Sequence, residues 1–109
     1  MPRFSANIST MFREVPMIGR PAAAARAGFR CVEMQFPYDL GADGLATTLT
    51  DHALSVSVLN VPAGDFPQGG EGNVTLPEKR AEFRDAVALT RRYAEKLRPS
   101  NVNVLAGVP

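Results

Sequence analysis

Five side chains in this sequence are of the kind that hold a small oxygenated molecule: the amides of Asn7, Gln35, Asn60 and Asn103 and the carboxylate of Glu33. An amide offers two donors and an acceptor, and an ionised carboxylate only accepts. Such a set can grip hydroxyl and carbonyl groups and steady a negative charge that develops during a proton transfer. Each lies inside a short apolar stretch, so each is expected to be at least partly buried. A buried polar group without a partner costs about 1–3 kcal/mol, so these groups must find one another, water or a ligand. A satisfied structural network is the plainer alternative for Glu33 and Gln35.

Other candidates carry less. The glycine-rich run Gly64 to Gly72 suggests a phosphate cradle, but such cradles pass directly from strand into helix, and this run continues to Thr75 before a helix begins. His52, the single histidine, falls on an outer helix without partners for a metal, and a solvated position is expected. Cys31 needs a neighbouring base to act as a nucleophile and otherwise reads as a small core residue. Arg91, Arg92, Lys96 and Arg98 suit the negative end of a helix.

The elements that must position the five polar residues alternate between two periods. Arg3 to Ser9, Cys31 to Phe36, Val56 to Val61 and Asn101 to Ala106 read as strands. A short alanine-rich helix from Pro21 to Ala27 ends at Gly28, and a helix begun at Pro16 would meet Pro21 in its interior and kink. A second helix over Asp43 to Ala53 turns Leu45 and Leu49 inward. A third carries Phe83, Val87, Thr90, Ala94 and Leu97 as one stripe, opened by a Thr75–Glu78 capping box with Pro77 in its first turn. Strand alternating with helix is the mark of parallel βαβ units.

The strands then separate two architectures. Strands of an open doubly wound sheet, covered on both faces, are nearly all apolar. Here alternation gives each strand one apolar face and one mixed face: Phe4, Ala6, Ile8 against Ser5, Asn7, Ser9; Val32, Met34, Phe36 against Cys31, Glu33, Gln35; Leu59, Val61 against Val56, Val58, Asn60; Val102, Val104, Ala106 against Asn101, Asn103, Leu105. The fold class is α/β, and the polar faces favour a closed barrel in which they line the lumen.

Composition excludes several other functions. With 109 residues, 45% hydrophobic and 21% charged, the chain suits one globular core. Twelve basic and eleven acidic residues are interspersed at a net charge of +1, leaving no basic footprint for nucleic acid or anionic lipid. Neither a nucleic-acid nor a membrane partner is expected, and no apolar run approaches the roughly 18 residues of a membrane span. One cysteine fits a reducing cytoplasm.

Several segments in order resemble hydroxypyruvate isomerase and its relatives among the xylose-isomerase-like barrels. They are Phe4-Ser5-Ala6-Asn7-Ile8-Ser9, Ala27-Gly28-Phe29, Val32-Glu33-Met34-Gln35-Phe36-Pro37-Tyr38, Asn60-Val61-Pro62-Ala63-Gly64-Asp65, Gly69 to Gly72, Leu76-Pro77, Ala81-Glu82-Phe83-Arg84 and Val102-Asn103-Val104-Leu105-Ala106-Gly107. The resemblance implies that residues 1–109 are the N-terminal half of a (β/α)8 barrel, in the order β-α-β-α-β-α-β, since a whole barrel takes about 250 residues.

The resemblance implies interconversion of hydroxypyruvate and tartronate semialdehyde through an enediol, with 2-oxo-tetronate isomerisation or another sugar epimerisation as the alternative. It places the two catalytic glutamates, and in related members a divalent metal such as Mg or Mn, on the second half. No catalytic residue or metal ligand is therefore expected in this chain, which should be inactive alone. Substrate-holding residues are expected at Asn7, Glu33, Asn60 and Asn103, with Gly64 and Asp65 at the mouth. Free edges at the first and fourth strands suggest self-association, and a noncatalytic self-pairing half barrel is the reading of another class. Three positions depart from the family pattern: Cys31, Pro21, and Ala53 where a glycine usually ends the second helix.

Overall fold

The computed structural model describes residues 2–108. Four strands, β1 (Ala6–Asn7), β2 (Cys31–Met34), β3 (Ser55–Asn60) and β4 (Asn101–Asn103), form one sheet in which every neighbouring pair is parallel and the spatial order follows the chain. Three helices intervene: α1 (Arg20–Arg26), α2 (Ala42–Asp51) and α3 (Arg80–Leu97). Ala24 of α1, Leu45 and Leu49 of α2, and Tyr93 and Leu97 of α3 share one buried cluster with Ala6, Ile8, Val32, Met34, Val56 and Leu59. All three helices thus cover the same face. Sequential order and single-sided cover are those of a barrel wall; an open doubly wound sheet reverses its order and is covered on both faces.

The strands are shorter than their apolar stretches suggest, because side chains take over the pairing at their ends. Ser9 N–H donates to Asn7 Oδ1 at 3.0 Å, and Thr10 and Met11 N–H donate to the Asn7 carbonyl, so the chain turns away after β1. Gln35 N–H is received by Ser9 Oγ at 2.8 Å in place of a backbone oxygen. Phe4, expected on the covered face, is 69% exposed.

The third strand departs from simple alternation. Val32 pairs with Val56 but Met34 pairs with Leu59, so Ser57 and Val58 together oppose Glu33 in a β-bulge. Val56 is therefore buried in the helix-covered core with Leu59, not on the lumen face with Val58 and Asn60 as alternation predicts. Without the extra residue, Asn60 would share the face of Val56. The bulge turns it to the lumen side.

The helices also differ in detail. Pro21 falls in the first turn of α1, after a 3-10 turn over Met17–Gly19, so it removes no hydrogen bond and no kink arises. The capping box does not form. Pro77 holds Leu76 extended, a 3-10 turn follows over Pro77–Lys79, and Thr75, now one residue too early, donates its hydroxyl to the Val108 carbonyl at 2.6 Å. The buried stripe of α3 is Ala86, Thr90, Tyr93 and Leu97, displaced by one residue from part of the expected one, and Val87 is 43% exposed.

Helices α1 and α2 end in the same motif. Phe29 N–H reaches the Ala24 carbonyl and Gly28 N–H that of Ala25; Leu54 N–H reaches Leu49 and Ala53 N–H reaches Thr50. The left-handed position is glycine in the first, at φ 99°, and alanine in the second, at φ 55°. No helix among the described residues is long and apolar enough to cross a membrane.

Candidate functional site

In barrels and open α/β sheets alike, sites form at the carboxyl ends of parallel strands. There the uncovered face holds a cleft of about 500 Å³, lined by Glu33, Gln35, Phe36, Val58, Asn60, Phe66, Pro67, Asn103 and Leu105. Three of the expected residues, Glu33, Asn60 and Asn103, meet on this wall. Register explains the meeting: Asn60 pairs with Asn103 across β3 and β4, and Asn60 N–H donates to the Gln35 carbonyl on the β2 side. The side-chain amide of Asn103 donates to Asn60 Oδ1 at 3.3 Å. Asn60 is nearly buried, whereas Asn103 is exposed.

The other expected residues lie elsewhere. Asn7 is in register with Glu33, but its Oδ1 is occupied by Ser9 N–H and it does not line the cleft. Gly64, at φ 59°, turns the chain beside the Glu82 carboxylate, which a Cβ at this position would meet at 2.8 Å. Asp65 closes its own loop. Its Oδ1 accepts from Gly72 N–H at 3.1 Å, its Oδ2 meets Lys79 Nζ at 3.4 Å, and its carboxylate packs on Gly70, where any Cβ would overlap it. The Gly72 hydrogen bond, more than the Lys79 charge, holds this carboxyl below the usual carboxylate range.

The loop instead gives Phe66 and Pro67 to the cleft as an apolar part of its lining. Strand alternation has no means of finding residues on a loop; the signal was their place directly after Asp65. Alternation puts both Leu105 and Gln35 on this face, and both line the cleft.

Tyr38, just beyond β2, braces the cleft from behind. Its hydroxyl donates to the Asn60 carbonyl and lies 3.3 Å from Thr90 Oγ1, whose own proton goes to the Ala86 carbonyl. Its ring stands edge-on to Tyr93 at 4.9 Å. Burial raises the Tyr38 phenol above its ordinary range, so it stays a donor through neutral pH.

At the amino ends of the strands a larger hollow of about 1020 Å³ is lined by residues including Arg3, Ser5, Arg30, Cys31 and Ser57. It lies away from the strand ends where barrel chemistry occurs, and the hydroxyls of Ser5 and Ser57 are paired with each other at 2.8 Å. His52 is exposed at the C-terminal cap of α2, its Nδ1 2.9 Å from the Thr48 carbonyl.

Among the described residues no three His, Cys, Asp or Glu side chains come together as a metal-binding group. Glu33 is the single carboxylate lining the cleft. One carboxylate beside neutral amides is a thin donor set for Mg or Mn, so the residues present do not by themselves fit a divalent ion.

Comparison with known proteins settles the kinship. The chain is 41% identical over 99% of its length to a 2-oxo-tetronate isomerase of Haemophilus influenzae and 42% identical over 98% to a hydroxypyruvate isomerase of Escherichia coli. The chain is a homologue of these isomerases. It spans 42% of the length of each isomerase relative. No family profile matches it. A crystal structure of a family 2 AP endonuclease from Brucella melitensis superposes with a TM-score of 0.90 at 43% identity, covering 98% of this chain and 42% of that one. The four parallel strands are therefore shared with a longer chain, as expected of part of a barrel.

Proposed function

We propose that this chain is the substrate-holding part of an isomerase for small hydroxy-oxo acids, with hydroxypyruvate as the representative substrate. The observation that carries the reading is the convergence of Glu33, Asn60 and Asn103 on one cleft at the carboxyl ends of the strands. Isomerising hydroxypyruvate moves a proton from C3 to C2 and a hydroxyl proton to the former carbonyl oxygen, through an enediol. The step needs a base, an acid and donors for the oxygens. The amides of Asn103 and Gln35 supply donors, and Phe66, Pro67 and Leu105 exclude water from one side. Glu33 accepts a substrate hydroxyl.

The acid–base pair is assigned to the part of the barrel that relatives carry beyond this length, and a divalent metal, Mg or Mn, belongs to that part if the reaction uses one. The purified chain should therefore bind hydroxypyruvate weakly and turn over none of it. Robust conversion by these residues alone would refute the division of labour. 2-Oxo-tetronate isomerisation is the closest alternative, supported by the Haemophilus relative. The endonuclease name of the Brucella protein does not transfer readily, because the cleft here is lined by no lysine or arginine to meet a phosphate backbone. A cytoplasmic setting suits the free thiol of Cys31.

One observation favours a second reading, self-association. Val102 on β4 and Val104 just beyond it are 43% and 46% exposed, and β4 has one unpaired edge. Sedimentation would decide: a discrete dimer supports a self-pairing half barrel, and a monomer at high concentration removes it.

A further inference from the structure

We propose that Tyr38 is a positioning residue for the binding cleft, setting the Asn60–Asn103 amide pair through the Asn60 carbonyl. The inference rests on the reading of that cleft as the substrate site. Tyr38 lies on the 3-10 turn Pro37–Asp39, directly after Gln35 and Phe36, both of which line the cleft. Its ring passes behind the sheet toward α3, and its hydroxyl returns to the last residue of β3. Asn60 is therefore held at three points: by Gln35 through its N–H, by Tyr38 through its carbonyl and by Asn103 through its side chain.

Tyr93 provides the internal comparison. The two rings are stacked edge to face, and each hydroxyl donates to a backbone carbonyl, but Tyr93 serves Leu40 and Tyr38 rather than the cleft. Both hydroxyls thus hold the turn after β2 in place, and the Tyr38 hydroxyl alone reaches Asn60. A purely structural role would make the two phenols equivalent.

The experiment is a pair of substitutions in the full 109-residue chain, Tyr38→Phe and Tyr93→Phe, followed by NMR of the asparagine side-chain amides and by titration with hydroxypyruvate. Tyr38→Phe should shift the Asn60 and Asn103 side-chain signals, speed exchange of the Asn103 amide protons and weaken hydroxypyruvate binding about three- to ten-fold, the effect of one hydrogen bond. Tyr93→Phe should lower thermal stability similarly and leave those signals and the binding unchanged. Unmoved asparagine signals in Tyr38→Phe, or an equal response in both variants, would overturn the assignment. If the unsubstituted chain binds no hydroxypyruvate, the substrate reading fails by itself, and the ligand-free asparagine signals still decide the coupling to Tyr38.

Discussion

Asn103 donates its side-chain amide to Asn60 Oδ1 at 3.3 Å across the β3–β4 pairing. Asn60 is nearly buried, so its Oδ1 has little access to water if that donor is lost. Asn103→Ala should cost about 1 kcal/mol of folding stability, the usual net worth of one hydrogen bond. It should also weaken hydroxypyruvate binding several-fold. Asn7→Ala, which removes an amide outside the cleft, should leave binding intact. Denaturant melts beside a ligand titration separate the two effects.

The bulge in β3 makes a sharper prediction. Strict alternation puts Val56 and Val58 on one face, whereas the register shift places Val56 in the core at 2% exposure and Val58 on the cleft wall. Val56→Asn buries an unpartnered amide and should destabilise by about 2–4 kcal/mol. Val58→Asn should be tolerated within about 1 kcal/mol. Equal penalties would show that the strand has no bulge.

This strand also shows how much was legible in the sequence. Period-2 and period-3.6 patterns located all four strands and three helices because hydrophobic burial imposes them. Glu33 and Asn103 lie on the cleft face, where alternation puts them. Asn60 was placed on the lumen side together with Val56, and only one of the two belongs there, because a bulge inserts a residue without changing the local composition. Asp65 and Gly64 follow β3 as expected, but which loop residue enters the cleft depends on where the loop closes. That closure comes from Asp65 reaching back to Gly72, a contact across seven residues that periodicity does not encode. The capping box failed for a local reason: Pro77 fixes the conformation of the residue before it.

Gly28 and Ala53 occupy the same left-handed position in equivalent helix ends. Alanine there costs about 1 kcal/mol relative to glycine. Ala53 is exposed and makes no core contact, so Ala53→Gly should stabilise by up to about that amount and raise the melting temperature by up to roughly 4 °C for a domain of this size. Gly28→Ala should do the reverse. No Cβ clash stands in its way, so the loss measures backbone strain alone. Calorimetry of the two variants tests the symmetry.

Asp65 ties the glycine-rich loop to itself, and its pH dependence has a definite sign. The folded carboxyl titrates below its unfolded value, chiefly because Gly72 N–H donates to the charged form and secondarily because Lys79 is near. A depressed carboxyl stabilises above the unfolded value, and the contribution is lost as pH falls through the folded one. The loop should therefore stay closed through neutral pH and the ordinary carboxylate range, and open only below it. Exposure of the group confines the effect to the loop, so global melting should hardly change. Asp65→Asn keeps an oxygen for Gly72 but removes the charge, which should abolish the pH step and release Lys79. Carboxyl carbon shifts and Gly72 amide exchange, followed from neutral to acid, report both; a Gly72 signal that opens within the ordinary carboxylate range would contradict the assigned closure.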